Sequence, residues 1–97
     1  MNVEIKAMHF SLEEENREYL DKKLTRIRNA ENMIVDLIIT LSKEGTSFKA
    51  DASVNFKWGV KAYVKEEDYD LSTVIDKMID KLEGKITKEK EKIKDKR

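Results

Sequence analysis

Residues 2–8 alternate, with Val3, Ile5 and Ala7 on one side and Asn2, Glu4 and Lys6 on the other, which predicts a first strand. Ser11 followed by Glu14 has the spacing of a capping box and predicts a helix start. From there Leu12, Tyr19, Leu20, Leu24 and Ile27 recur at the 3.6-residue period to about residue 28, with Asn16 interrupting the stripe. Residues 33–43 hold Met33, Ile34, Val35, Leu37, Ile38, Ile39 and Leu41, a β-branched run that favours a strand. Gly45 marks a hairpin turn after it. Phe48, Ala50, Ala52, Val54 and Phe56 then alternate with Ser47, Lys49, Asp51, Ser53 and Asn55, the clearest strand pattern in the chain. Lys57-Trp58-Gly59 reads as a tight turn or bulge. A fourth strand carries Trp58, Val60, Ala62 and Val64 on one face and Lys61, Tyr63 and Lys65 on the other, ahead of an acidic loop over 66–70.

Residues 70–96 read as one long amphipathic helix, capped by Asp70 or Ser72. Its apolar stripe is Leu71, Val74, Ile75, Met78, Ile79, Leu82, Ile86 and Ile93. A helix of that length spans roughly 40 Å, whereas a strand of ordinary length spans ~20–33 Å. The helix should therefore overhang the sheet at its C-terminal end. Gly84, in mid-helix, marks a slight bend or a close approach of backbone. The expected fold is α+β in the order β-α-β-β-β-α: a four-stranded sheet with two helices packed on one face and a polar face open to water.

Ninety-seven residues make a single domain, 1–97, with room for one modest core rather than a deep cleft. Lys and Arg number 20, Asp and Glu also 20, so the formal charge is zero while 41% of the chain is charged. The placement of each sign therefore matters more than the sum. With no cysteine there are no disulfides, thiolate metal sites or cysteine nucleophiles, and a reducing, cytoplasmic setting is expected. No apolar run approaches a membrane span and the first residues do not resemble a signal peptide. His9 is the single histidine, which excludes His-based triads and multi-His metal sites. No glycine-rich phosphate loop is present, and the acidic loop lacks calcium-loop spacing. No metal, cofactor, small-molecule substrate or enzymatic activity is expected. Phe48, Phe56 and Trp58, at period-2 positions, read as core rather than as stacking platforms. Tyr63, on the polar face, reads as an exposed contact or a cross-strand pairing residue.

The charges are sorted. On a helical projection Lys77, Lys81, Lys85, Lys88, Lys92 and Lys96 share one edge beside the apolar stripe. Asp76, Asp80, Glu83 and Glu91 gather on the opposite flank, with Glu89 and Asp95 as exceptions. A face built only for i,i+4 pairing would mix the signs. The first helix likewise sets Lys22, Lys23 and Arg26 beside its Leu20–Leu24–Ile27 stripe. If both helices lie on one sheet face, the two basic edges should line a shared groove suited to a phosphate backbone.

Asp70 to Glu83, in Asp-Leu-Ser-Thr-Val-Ile-Asp-Lys-Met-Ile-Asp-Lys-Leu-Glu, the lysine-rich stretch Lys85 to Lys94, and Arg17-Glu18-Tyr19-Leu20-Asp21-Lys22-Lys23-Leu24 together resemble the bacterial ribosome hibernation-promoting factor / ribosome-associated inhibitor family. The chain departs from that pattern at Ala7-Met8-His9, Glu13, Asn16, Gly84 and Glu89, the last standing where the lysine tail often has His. The resemblance implies a fold like that of double-stranded-RNA-binding domains. It implies a non-enzymatic translation inhibitor that occupies the mRNA/tRNA channel of the small ribosomal subunit and keeps ribosomes inactive under stress or in stationary phase. It carries rRNA binding to Lys23, Arg26, Lys81, Lys85, Lys88, Lys90 and Lys92, and Lys22 shares their basic edge. Without a further C-terminal dimerisation domain the chain resembles the short form, monomeric off the ribosome. The alternatives are a generic structured-RNA binder and a protein-interaction module using the overhanging helix.

Overall fold

The computed structural model describes residues 1–95, with the side chains described as far as Ile93. Strand β1 (Asn2–Met8) is followed by helix α1 (Glu14–Arg28), a 3-10 turn (Glu31–Met33), strands β2 (Ile34–Glu44), β3 (Ser47–Phe56) and β4 (Lys61–Asp68), and helix α2 (Leu71–Asp95). The helix end expected at residue 96 and the edge residue Lys96 lie outside the described residues. The sheet runs β1-β2-β3-β4. It is mixed: β1 pairs parallel with β2 through the α1 crossover, and the other pairs are antiparallel.

The alternation read in β3 decides which face is covered. Ala50, Ala52, Val54 and Phe56 are buried, as are Leu37, Ile39 and Leu41 of β2. They join Leu20, Leu24 and Ile27 of α1 and Leu71, Val74, Ile75, Met78, Ile79, Leu82 and Ile86 of α2 in one core. Burial of this apolar set is the main force holding the helices on the sheet. Gly45 (φ 60°) is the first residue of the two-residue β2–β3 loop, the position that a type II′ hairpin turn reserves for a residue tolerating positive φ.

Three local expectations are corrected. Helix α1 starts at Glu14, with Glu13 as its N-cap and no side-chain capping bond, so Ser11 does not form a capping box. Phe10 and Leu12 pack against the core instead. Strand β4 continues through Glu66, Glu67 and Asp68, because its pairing with β3 runs on to Phe48↔Asp68, and the predicted acidic loop shrinks to Tyr69 and Asp70. Gly84 makes no close approach: a Cβ built there would meet nothing within 4 Å. The α2 start matches expectation, with the Asp70 carboxylate accepting hydrogen bonds from the Thr73 N–H (3.0 Å) and hydroxyl (2.8 Å).

The molecule measures 48 × 20 × 19 Å. The long axis comes from α2, whose 25 residues span about 37 Å. Its last buried positions are Ile86 and Glu89, and Lys90 to Ile93 are exposed.

Candidate nucleic-acid interface

Helix α2 lies between two partners, and its two charged flanks meet different ones. The acidic flank faces α1. Lys23 Nζ lies 3.4 Å from Asp76 and Arg26 Nη2 donates to Asp80 at 2.9 Å. Arg26 also pairs with Glu83, and the Tyr19 hydroxyl donates to Asp76 at 2.6 Å. Glu83, then Asp80, stabilise the charged Arg26 guanidinium and raise its pKa. The hydrogen bond to Asp76 likewise raises that of Tyr19.

The lysine flank of α2 faces the edge strand β4, and the sequence of β4 divides that flank in two. The inward positions of β4 are Ala62, Val64, Glu66 and Asp68, apolar first and acidic last. β4 and α2 run antiparallel across their shared edge, so the acidic end of the strand meets the early turns of the helix. Lys77 Nζ donates to Asp68 at 2.8 Å, and Lys81 pairs with Glu66. Lys77, then the Asp70 N–H, hold the Asp68 carboxyl below its ordinary range.

Farther along, β4 offers no carboxylate. Lys85, Lys88 and Lys92 line an open groove of about 380 Å³ with Val60, Lys61, Ala62, Tyr63 and the carboxylate of Glu89. Among the described residues, Lys61, Lys85 and Lys88 form no ion pair, and Lys92 lies 3.9 Å from Glu89. Tyr63 is 64% exposed. Ammonium groups on long stems, wet and, at Lys61, Lys85 and Lys88, without an ion-pair partner among the described residues, suit a phosphate backbone.

The shared groove expected between the basic edges of the two helices is not formed. The acidic flank of α2, which the projection left without a partner, is what α1 presents its cations to. The edges therefore lie on opposite sides of α2. Of the expected residues, Lys85, Lys88 and Lys92 come together. Lys23, Arg26 and Lys81 are each held by carboxylates, and Lys22 is exposed on α1. Lys90 falls on the α1 side, where it lines a shallow hollow with Arg26, Asn29, Glu83 and Thr87.

A family model described as Sigma 54 modulation protein / S30EA ribosomal protein matches residues 3–94. The chain belongs to this family. It is 27% identical over 94 residues to a ribosome hibernation promoting factor of Escherichia coli K12, covering 97% of this chain and 98% of that protein. A ribosome hibernation promoting factor of Pseudomonas putida is also 27% identical, over 92 residues, with 95% and 89% covered. Among solved structures, the Protein Y N-terminal domain of Thermus thermophilus superposes with a TM-score of 0.77 at 28% identity, covering 91% of this chain and 98% of that one. A ribosomal subunit interface protein of Coxiella burnetii shares the fold, with a TM-score of 0.84 at 24% identity and 93% and 98% covered.

Within this S30EA-family chain, Lys61 escaped the sequence reading of the site. Its signal was present: the β4 alternation sets it outward beside Tyr63. What the pattern lacked was that β4 is the edge strand under the lysine flank. Trp58 was assigned to the core and is 41% exposed. The Phe56–Val60 turn explains this, with the Gly59 N–H donating to the Phe56 carbonyl (3.0 Å) and the Phe56 N–H to that of Val60 (2.8 Å). With Gly59 at φ 87°, the turn takes Trp58 out of the alternation and folds its ring back over Phe56.

Proposed function

We propose that this chain binds the small ribosomal subunit through the α2–β4 lysine face, occupies the path of mRNA and tRNA, and so keeps the ribosome inactive. Occupancy is the inhibition, and no bond is made or broken. The reading places the protein in the cytoplasm with rRNA as its partner. Membership of the S30EA family and the hibernation factors among its relatives support ribosome binding. The observation that carries the choice of surface is the division of the lysine flank: Lys77 and Lys81 are neutralised within the fold, whereas Lys85 and Lys88 line a groove and form no ion pair among the described residues.

Sucrose-gradient sedimentation with purified ribosomes and separated subunits tests this. The wild-type chain is expected to travel with the small subunit, and Lys85→Glu/Lys88→Glu/Lys92→Glu to remain at the top with an unchanged thermal melt. Undiminished co-sedimentation of the folded triple variant would overturn the assignment of this face. Sedimentation with the large subunit alone would overturn the choice of subunit.

A further inference from the structure

The C-terminal end of the lysine row abuts an apolar feature that phosphate binding leaves unexplained. Trp58, Val60 and Ile93 are 41%, 39% and 40% exposed, and all three line one open recess of about 400 Å³ with Glu89 and Lys92. Three exposed apolar side chains gathered at a single spot mark a contact surface.

The indole is held from two sides. One ring face stacks on Phe56, with centroids 5.3 Å apart and planes at 18°. Its Nε1–H donates to Glu89 Oε1 at 3.0 Å. Glu89 is 8% exposed and occupies a position on the apolar stripe of α2, so its carboxylate is built into the wall beneath the ring. With one face on Phe56 and the N–H already satisfied, the 41% exposed indole lines the recess and leaves its second face for a partner.

We propose that Trp58 is a stacking platform for an unpaired RNA base, an inference that rests on the RNA-binding reading above. The occupant is chosen by the surroundings of the ring. Lys88 and Lys92 lie along the adjoining groove with Lys61, and Lys57 precedes the tryptophan in the same turn. The one carboxylate in the recess, Glu89, is already engaged by the indole and Lys92. A flat π-face beside a row of ammonium groups matches a nucleotide, whose base stacks while its flanking phosphates meet the lysines. Stacking without a free donor predicts contact that tolerates any base identity. Because the ring is already fixed, little rotamer freedom is lost on binding.

Trp58 is the only tryptophan, so its emission reports this site alone. The experiment titrates the protein with small subunits, with a short single-stranded RNA, and with the same RNA carrying abasic positions. Quenching by the subunit and the intact RNA, absent with the abasic strand, is expected. Trp58→Ala should weaken subunit binding roughly ten- to hundred-fold, and Trp58→Phe, which keeps a ring over Phe56, should restore most of it. Melting curves of both variants check that they are folded. Unchanged emission at saturating small subunit, or equal quenching by the abasic strand, overturns the stacking role while leaving ribosome binding intact. Quenching by the subunit but by no free RNA points to an apolar protein side chain in the recess and likewise overturns it. Quenching by RNA without co-sedimentation supports the platform and overturns the ribosomal reading instead.

Discussion

Gly84 and Glu89 show how far single positions can be read without coordinates. A glycine in mid-helix costs about 1 kcal/mol relative to alanine, so its presence asks for a reason. The structure offers no steric one: the position is exposed and a methyl group there meets open space. Gly84→Ala is therefore expected to raise stability by about 0.5–1 kcal/mol, measured as a shift of the urea midpoint at constant slope. Glu89 departs from the sorted charge pattern for the opposite reason. It sits on the apolar stripe because a residue distant in sequence, Trp58, supplies the hydrogen bond that makes burial tolerable. Sequence spacing flagged Glu89 as an exception, but a pairing across 31 residues leaves no periodic trace.

At the scale of elements, strands and helices were legible because each carries a strong period: two in β1 and β3, 3.6 in α2. Boundaries were misread where a tertiary contact outweighs the local signal. Glu66 and Asp68 look like loop residues by composition, yet they complete β4 because Lys81 and Lys77 neutralise them from above. The same pairs bear on binding. A cation already matched by a carboxylate must give up that partner to reach a phosphate, whereas Lys85 and Lys88 have none among the described residues. Replacing Lys77 and Lys81 together by Gln should thus lower ribosome affinity much less than replacing Lys85 and Lys88 by Gln, with a gap of about ten-fold or more. Equilibrium binding to small subunits at one fixed salt concentration measures both. Equal losses would mean that Lys77 and Lys81 leave their carboxylates on the ribosome.

Over the whole molecule, zero net charge conceals a division of labour. Some cations and anions cancel inside the fold: Lys23 and Arg26 of α1 against one flank of α2, Glu66 and Asp68 of β4 against the early part of the other. Among the described cations that form no ion pair, Lys61, Lys85 and Lys88 gather at one groove, on a chain whose sum is nil. Two helical projections could show that the charges were sorted. They could not show which edges would be consumed by packing, since that depends on α2 lying between α1 and β4. A short lysine row makes the salt response quantitative. Each neutralised phosphate contributes a slope of about 0.7–0.9 in the logarithmic dependence of affinity on salt. Contacts from Lys85, Lys88 and Lys92 predict a slope near 2–3, so a four-fold rise in salt weakens binding roughly twenty- to forty-fold. Removing one of the three should lower the slope by about 1, whereas Trp58→Ala, which removes a stacking contact and no charge, should weaken binding and leave the slope unchanged. Titrations of the wild type, Lys88→Gln and Trp58→Ala across a salt series measure all three slopes. A wild-type slope near 8 would mean that cations outside this row, those of α1 among them, join the interface, and that the lysine row is only part of the surface the ribosome meets.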